Sequence, residues 1–134
     1  MIDHVAIMTK QLEKMKDFYS GYFGGEVKKW ISPDETGVIY FIRYENGTVL
    51  EIEQRMEGKE REWMPKGSRI GIEHIAFRVD SRDEVRRLTK QIEEDGHKVV
   101  QGPTDYGCEG FYESCILDPD GNFVEITIDA GIFQ

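Results

Sequence analysis

Apolar residues along this chain follow two periods, and the two alternate in the same order in each half. From Ile2 to Met8 apolar and polar positions alternate as in a strand that buries one face. Leu12, Met15, Tyr19, Tyr22 and Phe23 then recur at helical spacing, with Thr9 placed as N-cap and Gly24-Gly25 as the stop. That aromatic face reads as core packing. Three strand-like runs follow, Glu26 to Ile31, Val38 to Tyr44 and Thr48 to Gln54, separated by Ser-Pro-Asp-Glu-Thr-Gly and Glu-Asn-Gly turn signals.

The second half repeats this order. A strand runs from Gly71 to Val79, and Ser81 to Glu84 reads as a capping box that opens a helix with Val85, Leu88 and Ile92 as its stripe and Gly96 as its end. Strands follow at Lys98 to Gln101, Phe111 to Leu117 and Asn122 to Ile128, the last two joined by a tight turn, Asp118-Pro-Asp-Gly121. The pattern predicts an α+β chain built as βαβββ twice. Module one is 1–56, the charged segment 57–69 with Trp63, Met64 and Pro65 is a connector, and module two is 70–134, within a single domain.

The repeat extends to its chemistry. "IDHVAI" at Ile2 to Ile7 returns as "IEHIAF" at Ile72 to Phe77, and "TVLEIE" at Thr48 to Glu53 returns as "NFVEIT" at Asn122 to Thr127. Each half therefore carries one histidine on its first strand, His4 or His74, and one glutamate on its last, Glu51 or Glu125. Strand parity sets Leu50 and Ile52 against Glu51 and Glu53, Val124 and Ile126 against Glu125, and Val5 and Ile7 against His4. The aliphatic faces bury against the helices, which leaves the histidines and glutamates on the concave side of each sheet.

Four lone ionisable groups within apolar strands are costly unless something compensates them. A divalent metal compensates all four. His4, Glu51, His74 and Glu125 form a nitrogen and oxygen donor set without thiolate, which suits nickel, cobalt, manganese, iron or zinc better than copper(I) or a structural zinc cage. Glu53 is an alternative donor on the same face, but its repeat partner is Thr127, which favours Glu51.

Composition narrows the partners. A net charge of -9 argues against nucleic acid or an anionic membrane surface and leaves a small molecule as ligand. No apolar run approaches the roughly 18 residues of a membrane span. Cys108 and Cys115 lack metal-site spacing and a visible histidine partner, and neither is expected to be a nucleophile or a ligand. Sparse cysteine and the absence of a visible leader suggest a cytoplasmic setting.

The segments "DHVAI", "MKDFYSGYFG", "VLEIE", "GIEHIAFRVD" and "DPDGNFVEI" together resemble the vicinal oxygen chelate superfamily, also called the glyoxalase/bleomycin-resistance/dioxygenase superfamily. The resemblance covers nearly the whole chain. It implies paired βαβββ modules around a cupped sheet, a homodimer, and one metal between modules. It is closest to bacterial glyoxalase I, whose His, Glu, His and Glu ligands fall here on His4, Glu51, His74 and Glu125. It further implies a lactoylglutathione lyase-like isomerisation of a thiol hemithioacetal of methylglyoxal, with Glu125 as the mobile base and Glu51 opposite it. The family's glutathione-contacting arginine is here Met8, and its asparagine is Arg55, a substrate-binding candidate for a carboxylate or phosphate.

The resemblance also admits other functions. A methylmalonyl-CoA epimerase runs the same proton chemistry, although a longer segment than "DPDGNF" is expected before its last glutamate. An extradiol dioxygenase or a thiol transferase needs no carboxylate at Glu51. A metal-free drug-binding module needs an aromatic pocket, for which Trp30, Tyr40, Tyr44, Tyr106 and Tyr112 are candidates.

Overall fold

The computed structural model describes residues 4–33, 35–56, 74–106 and 112–129, with His4 described by its backbone alone. The expected connector 57–69, the strand starts at Ile2, Asp3, Gly71 to Glu73 and Phe111, and Cys108 lie outside the described residues. The chain forms two compact units, Met1–Arg69 and Ile70–Gln134.

The first unit consists of β1 (His4–Met8), α1 (Leu12–Phe23), β2 (Glu26–Ile31), β3 (Gly37–Arg43) and β4 (Val49–Arg55). Its sheet has the order β1-β4-β3-β2. β1 runs parallel to β4, and the other neighbours are antiparallel. The second unit repeats the plan with β5 (His74–Arg78), α2 (Arg82–Glu94), β6 (Val99–Asp105), β7 (Tyr112–Leu117) and β8 (Phe123–Thr127). Its sheet order is β5-β8-β7-β6, again with a single parallel pair, β5 and β8. No helix among the described residues is long and apolar enough to cross a membrane.

Each helix covers one face of its own sheet. Leu12, Met15, Phe18 and Tyr19 of α1 are buried, as are Tyr40, Ile42, Leu50 and Ile52. Phe18 was not part of the expected stripe, yet it sits at the centre of the aromatic cluster, with ring centroids 5.2 Å from Tyr19 and 5.1 Å from Tyr22. In the second unit Val85, Leu88, Thr89 and Ile92 of α2 are buried, along with Ile116, Val124 and Ile126. The Thr89 and Ser114 hydroxyls satisfy each other at 2.7 Å across this core.

The helix starts differ from the sequence expectation at one point. Thr9 is not the N-cap of α1. That position belongs to Gln11, which makes no side-chain capping bond. Thr9 Oγ1 accepts instead from Gln11 N at 3.0 Å, and Gln54 Oε1, from β4, accepts the orphan N–H of Leu12 at 3.0 Å. A tertiary acceptor has replaced a local cap. At α2 the capping serine is as expected, with Glu84 N donating to Ser81 Oγ at 3.2 Å, while the Glu84 carboxylate is taken by Arg87.

β6 is longer than its apolar run. It continues to Asp105 through two register shifts, the second of which spans Gly102 and Pro103 on an edge strand, where a missing N–H is tolerated. At the end of α1, Gly25 has φ 103°, and a Cβ there would meet Ile42 Cγ2 at 2.7 Å, so the chain turns into β2 only with glycine.

The Asp118–Gly121 turn is held by a buried carboxylate. Asp118 is 4% exposed, and its Oδ1 accepts from Asp120 N and Asn122 N at 2.9 Å each. Its Oδ2 accepts from Asn122 Nδ2 at 2.8 Å. Removing this carboxylate strands several donors, so Asp118→Ala is expected to cost about 2–4 kcal/mol, against about 1 kcal/mol for the exposed cap removed by Ser81→Ala. Urea unfolding of both variants checks this, and equal losses would mean the turn is not a structural keystone.

Candidate functional site

The parallel strand pair of each unit sets the position of the candidate donors. In the first unit Ala6 lies beside Glu51 on β1 and Phe41 lies beside it on β3. His4 pairs with Val49, one pleat away from Glu51 on the same face. The second unit has the same register. Ala76 flanks Glu125 on β5, Cys115 flanks it on β7, and His74 pairs with Phe123. Both glutamates are half-buried on central strands, on the sheet face turned away from the helix.

The second unit also shows the side-chain geometry. His74 Nε2 lies 3.1 Å from Glu125 Oε2, and the two side chains are 36% and 23% exposed. Adjacent ligands bound at about 2.1 Å to an octahedral ion stand roughly 3.0 Å apart, so the imidazole and carboxylate are spaced as neighbouring ligands would be. An imidazole and a carboxylate in direct contact form a nitrogen and oxygen donor pair that fits a borderline divalent ion. Among the described residues no three histidine, cysteine or acidic side chains come together as a metal cluster. The structure brings His74 and Glu125 into contact, while in the first unit His4 is placed by its backbone alone, at the register position equivalent to that of His74.

Several features of this face escaped the sequence reading. Ala6 and Ala76 stand in the cross-strand place next to each glutamate, where a small side chain leaves room above the strand. Their signal was the alanine that follows each histidine by two positions. Cys115, expected to be neither nucleophile nor ligand, is the strand neighbour of Glu125. Glu53 is buried at 6% exposure, and its Oε1 lies 2.6 Å from Arg55 Nε. Both line a hollow of about 460 Å³ with Trp30, Ser32, Pro33, Ile39 and Glu51. Met8 is 43% exposed on the same face of β1.

Two of the expected pocket aromatics belong to the helix side. Tyr40 and Tyr112 are buried under α1 and α2. The Tyr40 hydroxyl donates to Glu13 Oε1 at 2.7 Å, which holds the Glu13 carboxyl below its ordinary value and lifts the tyrosine above its own. Arg86 Nη1 donates to the Tyr112 hydroxyl at 2.8 Å. Register parity, not aromatic content, decides which residues face the site. Trp30 and Tyr106 remain exposed.

Comparison with known proteins agrees with this architecture. The chain is 27% identical over 112 residues to the mitochondrial methylmalonyl-CoA epimerase of Dictyostelium discoideum, an alignment spanning 81% of this chain and 65% of that protein. Among solved structures, a glyoxylase/bleomycin resistance protein/dioxygenase domain from Frankia sp. EAN1pec superposes with a TM-score of 0.75 at 14% identity, covering 96% of each chain. The trypanothione-dependent glyoxalase I of Leishmania major superposes with a TM-score of 0.73 at 22% identity, covering 98% of this chain and 88% of that one. At these identities the two structures speak for the fold. The sequence profile of the Glyoxalase/Bleomycin resistance protein/Dioxygenase superfamily matches residues 1–126, and the chain belongs to that superfamily.

Proposed function

We propose that this protein is a metal-dependent enzyme of the glyoxalase I kind, moving a proton between adjacent carbons of an α-oxygenated small molecule such as a thiol hemithioacetal of methylglyoxal. The observation that carries the reading is the His74–Glu125 contact at 3.1 Å, repeated in backbone register by His4 and Glu51. Each half offers two donors, fewer than a divalent ion takes, so His4, Glu51, His74 and Glu125 are proposed to act together, in a homodimer of such chains. Nickel or zinc leads, with cobalt, manganese or iron as further candidates.

Such an ion, when bound, supplies Lewis acidity toward the oxygens that gain negative charge as the proton leaves. The chain itself supplies the base. Glu125 takes the proton from the carbon next to the carbonyl and returns it to the neighbouring carbon, and His74 beside it fixes the carboxylate's direction. Ala76 leaves the space above Glu125 open. Glu51 is the more fixed donor, set between Ala6 and Phe41 in the first unit. With Met8 and an ion-paired Arg55 in the two places that would grip glutathione, another thiol partner is favoured.

A second reading has its own support. The 27% identity to an epimerase favours 2-epimerisation of an acyl-CoA, which needs the same base and the same stabilised oxygens. Turnover assays with each substrate class separate the two. Formation of a hydroxyacyl thioester from the hemithioacetal supports the first reading, and interconversion of the methylmalonyl-CoA epimers supports the second. Neither product, with metal bound, contradicts both.

Metal titration is expected to give about one divalent ion per chain near neutral pH, weakening as pH falls because protonated imidazoles cannot ligate. A purified protein that takes up no divalent ion, or whose His74→Ala variant binds as well as wild type, contradicts the site.

The two glutamates are expected to differ. Loss of a general base costs on the order of 10²- to 10⁴-fold in rate, so Glu125→Gln should stay nearly inactive at saturating metal while Glu51→Gln recovers more turnover. Steady-state rates against added metal decide. The reverse order exchanges the roles, and full recovery of both leaves the reaction without its base.

A further inference from the structure

The face that carries Glu51 also carries an ion pair that the proposed proton transfer does not use. Glu53 and Arg55 alternate with Glu51 along β4 and so share its face. A carboxylate only 6% exposed is uncommon, and this one holds Arg55 Nε at 2.6 Å. Arg55 Nη1 also donates to Thr36 Oγ1 at 3.4 Å. The hollow of about 460 Å³ that these two side chains line reaches Glu51 and Trp30. Its lining holds two carboxylates against one guanidinium, a balance of -1.

An arginine standing alone here would draw a carboxylate or phosphate from solution, because the guanidinium fork matches either one. In this hollow the Glu53 carboxylate stands 2.6 Å from Arg55 Nε, close enough to offset its charge although the two atoms are not aligned as a hydrogen bond. Glu53 is nearly buried and the Arg55 side chain is 19% exposed, so screening weakens their mutual cancellation less than it would for a surface pair, and an incoming anion would meet both Glu51 and Glu53.

We infer that Glu53 is a specificity-determining residue: it cancels the charge of Arg55, so that the hollow beside Glu51 admits an uncharged part of the substrate and turns anionic groups away. Arg55 Nη2 then donates to a neutral acceptor, such as an amide or carbonyl oxygen, and the indole of Trp30, 45% exposed, forms a flat wall against it. The inference rests on the proposed function only in taking this hollow as the substrate's place. The charge cancellation itself does not depend on the metal.

Calorimetric titration with succinate at low ionic strength, on metal-stripped and metal-loaded protein, tests it. Glu53→Gln keeps the shape and frees the guanidinium, and is expected to bind succinate about tenfold more tightly than wild type. The Glu53→Gln/Arg55→Gln double variant is expected to return to the wild-type value. A Glu53→Gln protein that binds no more tightly than wild type overturns the inference, as does a gain that persists in the double variant.

Thermal unfolding covers the case in which Glu53→Gln does not fold. Arg55→Gln leaves a buried carboxylate uncompensated and should lower Tm, and the double variant should recover it. An Arg55→Gln protein as stable as wild type overturns the inference by that route. Metal titration of the wild type separates the two proposals, because its failure would remove the metal reading and leave the succinate comparison intact.

Discussion

The parallel pairing of the first and last strands in each unit is the constraint from which the rest follows. A parallel pair needs a crossover, and the helix between β1 and the later strands provides it while covering one face of the sheet. Once Ala6 is registered beside Glu51, and Ala76 beside Glu125, the pleat leaves no choice about which residues face the helix. A slip of one residue would put Glu125 in the α2 core and Ile126 on the open face. The backbone N–H of Thr9 bonding to Glu53 O at 2.9 Å, and of Val79 to Thr127 O at 2.8 Å, extends each ladder by one step at equivalent places.

That register sorts the electrostatics. On the helix side, polar groups are neutralised locally, as by Tyr40 on Glu13 and Thr89 on Ser114. On the open side, ionisable side chains approach one another at the surface, as exposed His74 and half-buried Glu125 do at 3.1 Å. A buried carboxylate without a partner carries a desolvation cost that nothing offsets. The pairing with Arg55 lets Glu53 sit at 6% exposure on the sheet face it shares with Glu51.

The helix and strand order was legible in the sequence because both periods are strong and each occurs twice, and the fold class follows from them. The repeat also singled out four candidate donor positions, since a histidine and a glutamate at matching places in two apolar strands have no core rationale. Boundaries were less legible where tertiary contacts intervene. Gln54 caps α1 from another strand, which no local signal announces. β6 runs past its apolar stretch because an edge strand can absorb Pro103 through bulges. The placing of Cys115 beside Glu125, and the turning of Tyr40 and Tyr112 toward the helices, depend on strand register, which composition does not encode.

The central claim is that imidazoles and carboxylates from repeated strand positions act as one metal site, with the neighbouring thiol left out. X-ray absorption on cobalt-loaded protein measures this directly. The account predicts a first shell of nitrogen and oxygen at about 2.1 Å, with outer-shell scattering from two imidazoles that falls to one in His74→Ala. A sulfur scatterer at about 2.3 Å, or a shell without imidazole, would contradict it.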